Sequence, residues 1–184
     1  MKTKFVNEEI KYIGSQLAPH WIYKSFKIQG DAIVAFIGEC EVKLSEMVDI
    51  EDVINNEPIY SKKMLSFITE QFGISLSEGV LRQRLLVTII KELLEEKGVF
   101  VIRNGDDLMI EGKKLSVSIA TKSTTSVLIH TGLNILSEDA PVSACGLESE
   151  LNIYNTEDFA KEVMQRYSDE LEDIYLACTK VRGV

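Results

Sequence analysis

The chain has few of the residues and segments that mark several specialised classes of protein. Only three prolines and 11 glycines are spread over 184 residues, and no stretch is rich in proline, glycine or serine. No run approaches the ~20 apolar residues that a membrane-spanning helix needs. The amino terminus also lacks an apolar segment of signal-peptide length. These absences predict one compact domain over residues 1–184, with no linker and no membrane segment.

Cysteine, histidine and positive charge are scarce as well. The three cysteines are an odd number at wide spacing, which does not suit a disulfide framework or a zinc finger. The two histidines are too far apart in sequence to suggest a metal site. The net charge of −9 argues against nucleic-acid binding, because neutralising phosphates requires a basic surface. The expected location is the cytoplasm, where thiols stay reduced.

The first 72 residues contain three predicted elements. Residues 22–28 and 32–42 have the composition of strands, and residues 30–31 join them with turn chemistry. The second of these runs is apolar on both faces, which is typical of a central strand. Residues 61–72 place apolar side chains at helical spacing, so we expect a short helix there.

The remaining elements alternate helix, strands and helix. A capping box over residues 75–78 predicts a longer helix that ends near Gly98. Residues 99–135 are predicted to form strands, and residues 156–178 a last helix capped at residue 155 or 156. The order lacks a strict alternation of strands and helices. It therefore favours an α+β fold, in which helices pack on a mostly antiparallel sheet.

The run from Lys114 to Thr121 alternates between apolar and polar side chains. The apolar positions, expected to face the core, are Leu115, Val117 and Ile119. The polar positions are Lys114, Ser116 and Ser118. On the returning strand His130 and Asn134 lie opposite the apolar positions, so two polar faces are predicted to meet on one hairpin. Such a surface is either a solvated sheet face or a polar site.

Three short motifs follow one another in this half of the chain. They are Asp106-Asp107-Leu108, Gly112-Lys113-Lys114-Leu115 and His130-Thr131-Gly132-Leu133-Asn134-Ile135. In this order they resemble the core of the biotin and lipoate protein ligases. Octanoyl (lipoyl) transferases share that fold, and Ala144-Cys145-Gly146 resembles their loop with a catalytic cysteine. The resemblance implies an α+β domain of the biotin/lipoyl ligase and class II aminoacyl-tRNA synthetase type.

Over its whole length the chain also resembles an uncharacterised family of bacterial and archaeal proteins, a domain of unknown function with this same fold. The segments that carry this resemblance are Gly30-Asp31, residues 35–38, Met64-Leu65 with Phe67-Ile68, residues 82–85 and Lys180-Val181-Arg182. This likeness supports the fold and implies no particular substrate.

The ligase resemblance implies acyl transfer or acyl-adenylate chemistry centred on Lys114. An ammonium there would neutralise charge beside a reacting carbonyl, and neighbouring Lys113 has the opposite parity. Cys145 would be the nucleophile, with a thiolate stabilised by the lysine; the alternative is an inert loop cysteine. The residues expected to line the site are Arg103, Asp107, Gly112, Ser116, Ser118, His130 and Asn134.

The chain departs from these enzymes in ways that leave several hypotheses open. It has neither the Gly/Arg-rich loop of the ligases nor the His-Gly-Pro-Gly of the transferases, and Val117 stands where the ligases have glycine. No cofactor is indicated with certainty; an acyl-adenylate or acyl-carrier substrate is implied, with a carrier protein as partner. One alternative is a non-catalytic member that binds a small carboxylate or nucleotide. Another is a homo-oligomeric interaction protein that uses the exposed sheet.

Overall fold

The computed structural model describes residues 1–184, with eight strands in two sheets. The strands are β1 (Lys2–Phe5), β2 (Ala32–Val42), β3 (Ile59–Phe72), β4 (Ile102–Asn104), β5 (Asp107–Ile110), β6 (Lys113–Lys114), β7 (Ser116–Lys122) and β8 (Ser126–Asn134). The main sheet has the order β1-β2-β3-β8-β7, and β4-β5-β6 form a small second sheet. Only the β1–β2 pair is parallel, so the predicted α+β fold with a mostly antiparallel sheet is confirmed.

Four α-helices and one 3₁₀ turn complete the fold. They are α1 (Trp21–Phe26), the 3₁₀ turn Leu44–Glu46, α2 (Ile50–Asn55), α3 (Leu76–Glu96) and α4 (Thr156–Thr179). The two long helices begin as predicted: Ser75 accepts a hydrogen bond from the Glu78 backbone N–H, and Asn155 accepts one from Asp158. None of the helices combines the length and apolarity needed to cross a bilayer.

Two of the predicted elements are wrong. Residues 61–72 lie in β3 rather than in a helix, because residues 64–71 are buried on both sides of the sheet. Its apolar side chains divide between the two faces: Leu65 and Phe67 lie in one hydrophobic cluster, and Met64 and Ile68 in the other. Their helical spacing in the sequence is therefore a coincidence. Residues 22–28 contain α1 rather than a strand. Ile22 and Phe26, four positions apart, pack into the same hydrophobic cluster, whereas Lys24 between them is exposed. In a strand Lys24 would share the face of Ile22, so this pattern fits a helix.

One face of the main sheet, the helix-covered face, packs against α3 and α4. Its core is a cluster of 23 buried residues that includes Leu65, Phe67, Leu86 and Tyr167. The other face, here the open face, is only partly covered. Residues 6–28 pack over β2 and β3 and bury a smaller cluster of 10 residues around Phe36. The β8–β7 side of the open face is left without a helix, and this leaves room for a site.

The polar serines of β7 do not lie where the alternation predicted. Antiparallel pairing places Ser116 opposite Leu133 and Ser118 opposite Thr131, on the helix-covered face. Val117 and Ile119 instead share the open face with Gly132 and His130, their partners on β8. The expectation that two polar faces meet on this hairpin is therefore wrong.

A break at Leu115 explains the error. Leu115 lies between β6 and β7; its backbone N–H donates to Leu108 O, and its carbonyl accepts from Asn134 N. Lys114 belongs to β6 and also forms a bridge with Ala144. Because the strand is interrupted, parity counted from Lys114 does not continue into β7.

The cover of the open face depends on one glycine. The chain passes β2 so closely that the Ile10 N–H donates to Ile37 O at 3.0 Å. A Cβ atom at Gly38 would lie 2.1 Å from the Ile10 carbonyl oxygen, which no side chain tolerates. Glycine at this position therefore allows residues 6–20 to lie against the sheet.

Candidate ligand-binding cavity

A cavity of about 230 Å³ lies on the uncovered part of the open face. Its floor comes from β3, β7 and β8 through Met64, Val117, Ile119, His130 and Asn134. Its walls come from three connections: residues 12–17, residues 42–60 and residues 140–144. About half of the lining is apolar, so the cavity combines a hydrophobic body with a few polar groups, as small-molecule sites do.

Two stacked rings form the polar part of the floor. The His130 and Tyr12 rings are parallel to within 16°, with centroids 3.8 Å apart, and each residue is only 3% exposed. His130 Nε2 lies 3.3 Å from Ser66 Oγ, while Nδ1 has no hydrogen-bond partner in the protein. Burial lowers the pKa of His130 to about 3 and raises that of Tyr12. Both rings are therefore neutral at physiological pH.

Asn134 adds a third polar group beside these rings. Its side-chain amide donates to the Lys114 carbonyl at 3.4 Å, and its Oδ1 atom has no partner. The residue is 8% exposed and lines the cavity. The free atoms of these three side chains are not sealed from solvent, so they can be reached from the cavity. Three groups with unused hydrogen-bonding capacity thus converge on one cavity.

The mouth of the cavity is strongly acidic. It has one ammonium, that of Lys114, which lies 2.9 Å from Asp107 Oδ1; both side chains are 35% exposed. Six carboxylates line the same opening: Glu46, Asp49, Asp52, Glu57, Asp106 and Asp107. No three acidic, histidine or cysteine side chains converge closely enough to hold a metal ion.

Half of these carboxylates have partners within the protein. Asp49 caps α2 by accepting hydrogen bonds from backbone N–H groups, and Asp107 pairs with Lys114. Asp106 lies 3.1 Å from Arg84 and accepts from Gln83. The other three, Glu46, Asp52 and Glu57, form no ion pair. Burial, and then the charge of Asp49, raises the pKa of Asp52, while the ammonium of Lys114 opposes this rise.

Most of the predicted site residues are brought together. The six that line the cavity are Asp107, Lys114, Ser116, Ser118, His130 and Asn134. The Ser116 hydroxyl, however, accepts from Leu108 N at 2.8 Å. The Ser118 hydroxyl lies within hydrogen-bonding distance of the Gln83 and Thr131 side chains and the His130 carbonyl. These two hydroxyls hold neighbouring elements together, so the serines border the cavity without offering it free groups.

Arg103 and Gly112 lie outside the cavity. Gly112 has φ +78° and follows Glu111, which has φ +50°, so the two residues form the tight turn between β5 and β6. Positive φ at both central positions of a two-residue hairpin loop favours glycine for backbone reasons alone. Arg103 is exposed on β4, and its guanidinium donates to the Gly105 carbonyl.

Cys145 also lies outside the cavity, and its environment is not the one that the resemblance implies for a nucleophile. It is 1% exposed within the helix-covered core. Burial raises the pKa of its thiol to about 11, and the cation that partly offsets this is Lys113 rather than Lys114. Its backbone N–H donates to Lys114 O at 3.1 Å, while Lys114 N–H donates to Ser143 O. The contact between the cysteine loop and Lys114 is thus made by the backbones.

Several cavity residues carried no recognisable signal in the sequence. Tyr12 lies in an irregular segment far from the three motifs, and only the fold brings its ring onto His130. Residues 49–52 are acidic, as expected for a helix N-terminus, but sequence spacing could not place them at this opening. Met64 lies in the segment for which the sequence predicts a helix, so its place on the cavity floor was not expected. All of these positions depend on contacts distant in sequence.

Comparison with known proteins agrees with this architecture. The family model described as domain of unknown function 366 (DUF366) matches residues 1–182. The chain belongs to the DUF366 family. An uncharacterized protein of Methanocaldococcus jannaschii is 40% identical over 180 residues, which cover 95% of this chain and 81% of that protein. A solved structure of a protein of unknown function from Pyrococcus horikoshi has a TM-score of 0.92 at 38% identity, covering 100% and 98% of the two chains.

More distant structural neighbours are ligases. A lipoate-protein ligase A solved with bound ATP has a TM-score of 0.59 at 13% identity, covering 92% of this DUF366 chain and 85% of the ligase. The biotin protein ligase of Aquifex aeolicus has a TM-score of 0.58 at 15% identity, covering 94% and 70%. The predicted relationship in fold is confirmed. At such identities the likeness shows the fold alone.

Proposed function

We propose that this DUF366 protein binds a small organic molecule in the cavity of the open face and does not transfer an acyl group through Cys145. The observation that carries the proposal is the convergence of Tyr12, His130 and Asn134, three buried groups with unused hydrogen-bonding capacity, on one partly apolar cavity. The free polar atoms of these side chains are not sealed inside the protein, so a ligand in the cavity can pair with them in place of water.

The burial of Cys145 argues against the transferase hypothesis. A nucleophilic cysteine needs a depressed pKa and access to substrate, whereas this thiol has a raised pKa and lies in the core. Val117 places a branched side chain on the cavity floor where the ligases have glycine, which narrows the space for an adenylate. Both observations favour the binding hypothesis over acyl transfer.

In this proposal Lys114 and Asp107 act as a pair at the mouth. Their ion pair places a carboxylate and the ammonium that balances it next to the polar part of a ligand. The apolar part would lie against Met64, Val117 and Ile119 on the floor. This arrangement gives orientation from a few polar contacts and affinity from apolar burial.

A fragment screen by ligand-observed NMR tests the proposal. Val117→Trp would fill the cavity, while Leu81→Trp adds the same side chain at an exposed position of α3. We expect a set of fragments that bind the wild type and Leu81→Trp but not Val117→Trp. A set that is identical for all three proteins would show that the cavity is not the site.

Incubation with octanoyl-adenylate, followed by intact-protein mass spectrometry, tests the rejected alternative. We expect no covalent adduct on the folded protein, because the Cys145 thiol is buried and protonated. An adduct that forms on the wild type and disappears in Cys145→Ala would establish acyl transfer and contradict the binding proposal.

A further inference from the structure

The unpaired charges around the cavity have one sign. Glu46, Asp52 and Glu57 line the opening without an ion-pair partner, and Asp52 is half-buried. The one ammonium at the opening, that of Lys114, is already occupied by Asp107 at 2.9 Å. A carboxylate or phosphate entering this mouth would meet uncompensated negative charge in a region of reduced dielectric.

The floor supplies hydrogen-bond acceptors rather than counter-charges. Asn134 Oδ1 is an acceptor without a donor, and the Tyr12 hydroxyl oxygen has no partner. His130 Nδ1 is an acceptor in the tautomer that carries its proton on Nε2, and this ring stays neutral. These side chains are at least nine-tenths buried and line the cavity. An ammonium or amidinium group, which has several donors and no acceptor, complements such a floor.

We propose that the ligand of this cavity is an organic cation: a primary amine or amidine with a short apolar body. This inference rests on the proposed function and names the chemical class of its ligand. A bare metal ion fits poorly, because no three ligating side chains converge. An anionic adenylate fits poorly as well, because the free carboxylates at the mouth would repel it.

Asp52 is the residue best placed to act as the counter-ion. It is the half-buried member of the three unpaired carboxylates, and it stands close enough to Lys114 for that ammonium to affect its ionisation. Burial, and then the charge of Asp49, raises the pKa of Asp52, and a ligand cation beside it would favour its charged form. Glu46 and Glu57, both exposed, would contribute at longer range.

Three ligands with a six-carbon chain but different head-group charges test whether charge determines binding. They are hexylamine, hexanol and hexanoate. They are titrated into the wild type, with Val117→Trp as the blocked control, and binding is followed by NMR shifts of the β8 amides. We expect hexylamine to bind about tenfold more tightly than hexanol, and hexanoate to bind most weakly. The advantage of the amine over the alcohol should shrink at high salt, because exposed charges are then screened.

Two substitutions at the mouth test the charge assignment directly. Lys114→Met removes the competing ammonium and frees Asp107, so hexylamine should bind several-fold more tightly. Asp52→Asn should weaken hexylamine several-fold and leave hexanol unchanged. Asp173→Asn, an exposed carboxylate on α4, is the matched control and should change neither.

The outcomes distinguish this inference from the function on which it rests. If hexanoate binds best and Lys114→Met abolishes that binding, the cavity is an anion site and the inference is overturned while ligand binding stands. If fragments bind in the cavity but hexylamine shows no preference over hexanol, the inference is likewise overturned. If neither the fragments nor the hexyl probes bind, the proposed function is contradicted, and so is the inference that the ligand is a cation.

Discussion

The two faces of the main sheet are built from the same strands but are completed in different ways. On the helix-covered face, α3 and α4 bury a continuous cluster of 23 residues. On the open face, an irregular segment covers part of β2 and β3 and leaves a cavity over β7 and β8. The larger apolar burial predicts that the helix-covered face supplies most of the stability, while the open face keeps polar groups beside an accessible cavity.

The three cysteines test the difference between the two faces, because each lies in a different region. Cys145 lies in the helix-covered core, Cys40 in the open-face cluster, and Cys178 is exposed. Burial raises the pKa of the first two thiols to about 11 and about 12. We expect iodoacetamide to alkylate Cys178 at least ~10³-fold faster than either buried thiol, since those react only on opening.

Peptide mass spectrometry over a time course measures these rates. Cys40 should react before Cys145, because its cover is an irregular segment rather than two long helices. Equal rates for Cys145 and Cys178 would mean that the helix-covered face opens readily, and the distinction between the faces would be lost.

Adjacent residues of β3 provide a matched pair of truncations. Leu65 and Met64 are both buried, but Leu65 points to the helix-covered core and Met64 lines the cavity. We expect Leu65→Ala to lower the free energy of unfolding by about 3 kcal/mol, within the range for buried leucines. Met64→Ala should lower the free energy of unfolding by about half as much, because the space that the side chain leaves joins a cavity that water can enter.

Urea denaturation monitored by circular dichroism gives both values. A larger loss for Met64→Ala than for Leu65→Ala would reverse the assignment of the stabilising face. Unchanged m-values in both variants would confirm that the comparison concerns the native state.

His130 makes the open face sensitive to acid. Its pKa is about 3 in the folded protein because of burial, against an ordinary value of 6.5, so the unfolded chain binds the proton more readily. The stabilising effect of a neutral His130 is complete above pH 6.5 and is lost as the pH falls towards 3. The loss approaches about 1.4 kcal/mol per pH unit over this range.

His130→Phe keeps a ring against Tyr12 and removes the titrating group. The free energy of unfolding of this variant, measured from pH 7 to pH 4, should fall less steeply than that of the wild type. His20, which is partly exposed, supplies a control through His20→Gln. Parallel curves for His130→Phe and the wild type would show that His130 is not buried as described.

The sequence predicted those parts of the fold that depend on local chemistry. The capping box at Ser75 and the cap at Asn155 are confirmed because each rests on contacts within a few residues. The strands of the second half are confirmed as well, and the β4–β5, β5–β6 and β7–β8 pairs join neighbours in sequence. The sequence motifs also led to Lys114, His130 and Asn134, which share the cavity.

The errors arose where distant contacts decide the structure. Residues 61–72 have helical spacing, but neighbours on both sides make them a central strand. The break at Leu115 puts the β7 side chains on the faces opposite to those predicted, and no local pattern in the sequence indicates this break. The burial of Cys145 depends on the backbone hydrogen bonds between its loop and Lys114. The position of Tyr12 depends on the close approach of its segment to the sheet, which Gly38 allows. Tertiary packing determines each of these outcomes.

The backbone contact between Cys145 and Lys114 gives the cysteine a mechanical role. The N–H of Cys145 and the carbonyl of Ser143 hold both sides of the Lys114 peptide, so the loop acts as a brace that keeps this residue at the cavity mouth. Because both hydrogen bonds belong to the backbone, replacing the side chain at position 114 leaves this anchor in place. The charge at the cavity mouth can thus be changed without changing the scaffold that carries it.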